Sequence, residues 1–195
     1  MMERDPLQQR SAGVQAQPQL RVGGQELEER TVGVGVRLLE HVVEVSDRLV
    51  VVDDEDQRDG IHEAATCGSR AVSGWAREAG MTVTIDKIGN GFMRRPGRNN
   101  SLPPIMTGSH IDTQPTGGKF DGNYGVLAGL EVVRTLNDAG VQTEAPIEVA
   151  FWTNEEGSRF VPVMMGSGVF AKAFTLEHAY AAKDVDGKSV KDELQ

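Results

Sequence analysis

The sequence predicts an α/β fold in which a parallel or mixed sheet is flanked by helices. Three consecutive segments of the 195-residue chain carry this prediction. Residues 104–110, PIMTGSH, read as a short buried strand, and residues 126–136 repeat apolar side chains at helical spacing. Residues 146–154, PIEVAFWTN, are almost continuously apolar, as expected for a strand covered on both faces. This order predicts a βαβ unit with neighbouring parallel strands and a right-handed crossover.

A helix and a strand pair are predicted before this unit. Residues 69–80, SRAVSGWAREAG, have an apolar helical face and end in Gly80, a natural helix stop. That face consists of Val72, Trp75, Ala76 and Ala79. Residues 81–95, MTVTIDKIGNGFMRR, alternate through Val83, Ile85 and Ile88, break at a glycine turn and resume. This pattern predicts two paired strands, and residues 94–104 form a loop of turn-forming residues.

Residues 1–60 differ from the rest of the chain. A Gln-rich start passes into a stretch rich in Val, Arg, Gly and acidic residues. Within it, residues 38–52, LLEHVVEVSDRLVVV, fit a helix or a strand pair equally well. We therefore expect residues 1–60 to be poorly defined, and one domain to extend from 64 to 195.

Composition restricts the classes of partner and site. The net charge of −9 and the pI near 4.9 argue against a nucleic-acid or anionic-membrane partner. The single cysteine, Cys67, excludes an intrachain disulfide and a cysteine-based zinc cluster. No apolar run reaches the length of a membrane helix, and the N-terminus lacks the apolar core of a signal peptide. A cytoplasmic location is expected.

Polar side chains follow both strands of the predicted βαβ unit. His110 and Asp112 come after the first strand, and Glu155 and Glu156 come directly after the second. In open α/β sheets, ligands bind outside the carboxyl ends of the strands. Residues that are distant in sequence are therefore expected to converge at this edge of the sheet.

The residue types at this edge suit a metal site. Imidazole and carboxylate groups bind zinc and similar divalent ions. Asp112 could hold the second ring nitrogen of His110, while Asp121 has two oxygens with which to bridge two ions. Of the adjacent glutamates, one can bind metal and the other can act as a general base. Each signal alone also fits a structural histidine, a solvated Glu-Glu pair or an ordinary glycine turn.

Residues 108–140 and 146–171 closely resemble a known enzyme family. The segments read GSHIDTQPTGGKFDGNYGVLAGLEVVRTLNDAG and PIEVAFWTNEEGSRFVPVMMGSGVFA. They resemble the N-carbamoyl-L-amino acid hydrolase and allantoate amidohydrolase branch, which is similar to β-ureidopropionase, of the zinc-dependent aminoacylase/carboxypeptidase-like metallohydrolases. The resemblance begins near Trp75 and continues to the end of the chain.

The resemblance implies two divalent metal ions, with zinc expected and manganese, cobalt or nickel as alternatives. It implies that His110 binds the first ion, Glu156 binds the second and Asp121 bridges them. Glu155 would be the general base and Asp112 would orient His110. The family hydrolyses a linear C–N bond in a ureido or amide group of a small, amino-acid-like molecule. A catalytic α/β domain, a smaller lid domain and a homodimer are usual.

Several features depart from the family pattern. Its two remaining metal-binding histidines and its lid have no counterpart before Gln195, so residues 64–195 resemble an incomplete metallohydrolase catalytic domain. Lys172 stands where the family usually has glycine. His178 is a poor substitute for a missing ligand, because an isolated helical histidine is usually exposed or packed. We expect the chain alone to bind metal weakly and not to turn over.

Two other functions fit the same residues. The chain could belong to an aminoacylase or dipeptidase of the same broad family, although TNEEGSRF at 153–160 favours the carbamoylase branch. It could also be a non-catalytic chain that binds a metal ion or a full-length partner. Metal content and activity distinguish these alternatives.

Overall fold

The computed structural model describes residues 57–114, 117–118 and 120–194, and for residues 57–67 it describes the backbone alone. The ambiguous segment at residues 38–52 lies outside this range. Within it, the elements in chain order are α1 (Gln57–Glu78), β1 (Thr82–Ile85), β2 (Gly91–Arg95), β3 (Ile105–His110), α2 (Asn123–Asp138), β4 (Ile147–Trp152), α3 (Met165–Phe170), α4 (Leu176–Ala181) and α5 (Val190–Glu193). None of the described helices combines the length and apolar character needed to cross a bilayer.

The four strands form one mixed sheet in the order β1-β2-β4-β3. β2 pairs antiparallel with both β1 and β4, whereas β3 and β4 are parallel. This confirms the predicted strand pair, the predicted α/β class and the parallel neighbours on either side of α2. The register of β3 and β4 places His110 opposite Trp152, so both strands end at the same edge. β3 is the outermost strand on its side of the described sheet.

Element boundaries differ from the predictions in three places. Ile88 lies in the turn after β1 and not in a strand, and it is buried there in the smaller of two apolar clusters. β4 ends at Trp152, two residues before the predicted end. α1 starts at Gln57, so the helix crosses the expected start of the domain at 64. The domain boundary itself stays a prediction.

The larger apolar cluster joins α1 and α2 to the sheet. The register partners Met93 and Val149 lie in this cluster with side chains from both helices. Its helical members are Val72, Ala76, Val126, Leu127, Leu130 and Val133. The smaller cluster packs α3, α4 and α5 beside the turn after β1. Together the two clusters pack around the ends of β3 and β4, the two strands that the polar residues of the predicted site follow.

Lys172 follows α3 in a left-handed conformation with φ 61°. This region of backbone space favours glycine, because a Cβ atom is strained there. The family resemblance predicts glycine at this position. The backbone therefore has the shape that suits the family residue, although the chain carries lysine.

Val133 and Val132 allow a direct test of the core on α2. Val133 is fully buried, with 0% exposure, whereas its neighbour Val132 is 53% exposed. Val133→Ala should lower the free energy of unfolding by about 2 kcal/mol, because two buried methyl groups and their packing are lost. The same change at Val132 should have little effect. Chemical denaturation of both variants measures the difference, and equal losses would contradict the packing described.

Candidate metal centre

His110 occupies the last position of β3, where it is only 6% exposed. Its Nδ1 atom lies 3.0 Å from the backbone carbonyl of Asp112 and 3.6 Å from the Oδ1 atom of the same residue. Its Nε2 atom faces other carboxylates, at 3.4 Å from Glu155 Oε2 and 3.8 Å from Asp121 Oδ1. Nδ1 thus contacts the main chain of Asp112, whereas Nε2 faces the carboxylates of Glu155 and Asp121.

Gly122 allows the loop before α2 to pack against the His110 ring. It has φ 69°, and a Cβ atom built there would lie 2.6 Å from both Nδ1 and Cε1 of His110. Only glycine meets both conditions, since it tolerates positive φ and has no side chain. This close approach places the preceding residue, Asp121, beside the imidazole.

The segment after β4 folds back on itself around Asn154. This residue has φ 50°, a left-handed conformation in which Asn is enriched. Its Nδ2 atom donates to the carbonyls of Phe160 at 2.8 Å and Pro162 at 3.2 Å. The Met164 N–H donates to the Glu155 carbonyl at 2.7 Å and closes the segment. We call residues 153–166 the glutamate loop; its last two residues, Met165 and Gly166, also begin α3.

Asp112 joins the two strand ends. Its Oδ2 atom accepts a hydrogen bond from the Glu156 N–H at 3.1 Å, while its carbonyl approaches His110. The sequence predicts that the Asp112 carboxylate holds the imidazole, yet the closer group is the carbonyl. The carboxylate also lies near Nδ1, with Oδ1 at 3.6 Å, and through Oδ2 it ties the end of β3 to the glutamate loop.

Three side chains converge to form a group that could hold a metal ion. One ligand atom from each of His110, Asp121 and Glu156 lies within 4.8 Å of the others. Two buried carboxylate oxygens, Asp112 Oδ1 and Glu156 Oε1, have no hydrogen-bond partner among the described residues. Buried polar atoms are normally satisfied, so a bound cation would account for the Glu156 oxygen. One nitrogen and two carboxylate ligands suit zinc and related ions.

Electrostatics in this group reflect its carboxylates. Burial lowers the pKa of His110, but the hydrogen bonds and charge of Asp112, together with Glu155, outweigh burial and raise it to about 9. Burial raises the pKa of Glu156; His110 lowers it, and the neighbouring carboxylates raise it further. A proton and a metal ion would therefore compete for the same imidazole.

The structure brings together all five predicted site residues, namely His110, Asp112, Asp121, Glu155 and Glu156. His178 lies in α4, exposed and with its ring 5.9 Å from that of Phe174, outside this group. Sequence reasoning assigned no role to Asn154 or Gly122. An Asn before two glutamates and a Gly after an aspartate are weak signals, because both residues are common in turns.

The role of Gly122 can be tested against a second left-handed glycine. Gly140 has φ 63° but has no heavy atom within 4 Å of its built Cβ. Gly122→Ala and Gly140→Ala should both strain the backbone, by about 1–2 kcal/mol. Only Gly122→Ala should also displace His110, and it should weaken Zn²⁺ binding at least about tenfold, as loss of a group that orients a ligand does. Chelator competition measures the affinity, and similar losses in both variants would contradict this reading of the loop.

Comparison with known proteins identifies relatives of the chain. Residues 106–192 match the model of peptidase family M20/M25/M40. The chain is 50% identical over 159 residues to an N-carbamoyl-L-amino-acid amidohydrolase of Rhizobium meliloti, covering 82% of this chain and 38% of that protein. It is 37% identical over 111 residues to an allantoate amidohydrolase of Bacillus subtilis, covering 57% of this chain and 27% of that protein.

Comparison with solved structures also finds amidases that are similar to this chain. The fold matches a hydantoinase/carbamoylase family amidase from Burkholderia multivorans with a TM-score of 0.75 and 50% identity, covering 83% of this chain and 39% of that one. The chain thus spans about two fifths of the length of this amidase and of the Rhizobium relative. Residues 106–192 thus match peptidase family M20/M25/M40, and over most of its length the chain is similar to the hydantoinase/carbamoylase amidases.

Proposed function

We propose that the chain forms part of a metal-dependent hydrolase that cleaves linear C–N bonds in ureido or amide groups of small molecules. The observation that carries this proposal is the convergence of His110, Asp121 and Glu156 at the carboxyl edge of the sheet. Glu155 approaches the same imidazole at 3.4 Å. The names of the relatives make N-carbamoyl-L-amino acids the first substrate class to test, with allantoate second.

The proposed cofactor is a pair of divalent ions, with zinc expected and manganese, cobalt or nickel as alternatives. His110 would bind one ion through Nε2, because Nδ1 is held by the carbonyl of Asp112. Glu156 would bind the other ion, and the two oxygens of Asp121 would bridge the pair. The described residues thus supply three ligands. Two ions share them, and each has further positions to fill.

In the proposed reaction, water attacks the carbonyl carbon of the ureido or amide group and the C–N bond breaks. The bound ions would supply a water of lowered pKa and polarise the substrate carbonyl. The Glu155 carboxylate takes a proton from the attacking water and returns it to the departing nitrogen. Asp112 holds His110 through its carbonyl and the Glu156 main chain through its carboxylate, so the ligands keep their spacing.

A second candidate is an aminoacylase or dipeptidase activity. The matching family model is described as a peptidase family, and the same carboxylates could direct water at a peptide or acyl-amide carbonyl. The identity of 50% to a carbamoyl amidohydrolase favours the ureido substrate. N-acyl amino acids and dipeptides therefore belong in the same assay as comparison substrates.

The test is hydrolysis by a chimera. In it, this chain replaces the aligned segment of the Rhizobium meliloti relative, so that the rest of that enzyme supplies the remaining groups. With Zn²⁺ or Mn²⁺ added, the chimera should release ammonia from N-carbamoyl-L-amino acids faster than it cleaves dipeptides. A well-folded chimera that takes up metal and cleaves none of these substrates would contradict the proposal. The homodimer implied by the resemblance stays a prediction that light scattering can check.

A further inference from the structure

We propose that Asn90 is a positioning residue that holds both ends of the glutamate loop, and thereby sets the place of Glu155 and Glu156. The inference deepens the proposed function, since it depends on these glutamates serving the metal centre. Asn90 lies directly before β2, in the turn after β1. It is remote in sequence from the loop that it contacts.

The Asn90 side chain is fully buried, with 0% exposure, and both its polar atoms are used. Nδ2 donates to the Gly166 carbonyl at 3.0 Å and to Asp86 Oδ2 at 3.0 Å. Oδ1 accepts from the Thr153 N–H at 3.0 Å. Thr153 and Gly166 are the first and last residues of the glutamate loop, so one amide group binds both of its ends.

The hydrogen bonds continue from these ends to the glutamates. The Gly166 N–H donates to the Thr153 carbonyl at 2.9 Å, and the Met165 N–H donates to the Asn154 carbonyl at 3.1 Å. The Met164 N–H then donates to the Glu155 carbonyl. Successive main-chain bonds therefore connect the Asn90 contact to the backbone of Glu155.

Asp86 fixes the orientation of the Asn90 amide. Its Oδ1 atom accepts from the Ile88 N–H at 3.0 Å and the Asn90 N–H at 2.8 Å. An ionised carboxylate only accepts hydrogen bonds, so the NH₂ group of Asn90 has to face Asp86 Oδ2. The Asn90 oxygen is then left for Thr153. Asp86 and Asn90 both lie in the turn between β1 and β2, and Asn90 thus presents one acceptor and one donor to the loop in a fixed arrangement.

The main chain packs closely against Asn90 at Gly166, where the glutamate loop ends. A Cβ atom at Gly166 would lie 2.1 Å from Asn90 Oδ1 and 2.7 Å from the Thr153 main chain. If the Asn90 donor were lost, the buried Gly166 carbonyl would lack that partner, at a cost comparable to a lost hydrogen bond. Gly166 lies in the first turn of α3, so its carbonyl would keep helical bonding, but this end of the loop would lose its tie to the turn after β1 and the glutamates would be held less firmly.

Two variants separate this role from general stability. Asn90→Asp removes both donated hydrogen bonds and places a second carboxylate beside Asp86. The double variant Asp86→Asn/Asn90→Asp restores a donor–acceptor pair between positions 86 and 90 and keeps the acceptor for Thr153. It loses the donor to the Gly166 carbonyl and places a carboxylate oxygen against that carbonyl oxygen, so the two repel each other. Val133→Ala serves as the control, because it destabilises a core on α2 that does not contact this loop.

Three measurements are made on the 195-residue chain: thermal unfolding, Zn²⁺ affinity by chelator competition, and amide hydrogen exchange of the glutamate loop. We expect the double variant to unfold at a higher temperature than Asn90→Asp, because it no longer opposes two carboxylates at positions 86 and 90. Its Zn²⁺ affinity should fall at least about tenfold, in the range found for groups that orient ligands. Exchange should accelerate at residues 164–166, and Val133→Ala should leave affinity and loop exchange unchanged.

Wild-type affinity and wild-type loop exchange in the double variant would overturn the proposal. So would a double variant that fails to fold, because Asn90 would then support the whole fold and not the loop. If the wild-type chain takes up no Zn²⁺, the proposed function loses its support, and loop exchange alone decides whether Asn90 anchors the loop.

Discussion

Glu155→Gln should lower turnover by the chimera about 10²–10⁴-fold, the usual contribution of a general base, while metal content stays at the wild-type level. The amide keeps the size of the side chain but does not accept a proton from water at neutral pH. Glu155 lies 3.4 Å from His110 Nε2, yet the three-residue group that could hold a metal ion consists of His110, Asp121 and Glu156. Steady-state kinetics and metal analysis of the same preparation check both parts of the prediction.

The neighbouring change, Glu156→Gln, is the matched control. It alters the same atoms one residue further along the chain, at the position proposed to bind metal. Metal content and activity should therefore both fall. If Glu155→Gln retained activity within about tenfold of wild type, a general-base role would be excluded, since such groups contribute more.

The second large effect is expected at His110. Replacing it with Ala should weaken Zn²⁺ binding by at least about 100-fold, because loss of a group that only orients a ligand already costs 10–100-fold. The ring is buried, and its Nε2 atom faces the carboxylates of Asp121 and Glu155. Isothermal titration of the 195-residue chain with Zn²⁺ measures the loss without any need for turnover.

His178→Ala supplies the comparison. This histidine is exposed on α4, and it does not belong to the group of residues that could hold a metal ion. Zn²⁺ affinity should therefore match that of the wild-type chain. Equal losses in the His110 and His178 variants would mean that surface histidines, and not the strand-end centre, take up the ion.

Local patterns were sufficient to predict the framework. The apolar run of β4 and the helical spacing of α2 reflect burial of neighbouring residues, which a sequence records directly. The prediction that β3 is buried was wrong, because this outermost strand is exposed at its first four residues. Parallel pairing followed, because a strand, a helix and a strand in succession have few ways to pack. Once the strands were neighbours, the polar residues after them had to meet, as His110 and Glu156 do.

Contacts between distant segments were not predictable in this way. Asn90 reaches Thr153 across 63 positions and Gly166 across 76, and nothing in the turn sequence indicates either contact. Its place before β2 fits an ordinary turn residue equally well. The preference of His110 for the Asp112 carbonyl over the carboxylate depends on distances of 3.0 and 3.6 Å, which residue types do not determine.

The outer position of β3 affects how the metal centre could be completed. Ile105 and Met106 are 67% and 37% exposed, and the Ile105 N–H is used on the β4 side by the Pro146 carbonyl. Main-chain groups alternate in direction along a strand, so those of Met106 and Gly108 point away from β4. A further strand could therefore add to the sheet without breaking any bond to β4. His110 would then stand between two strands, and ligands could reach it from a second side that the four-stranded sheet leaves open.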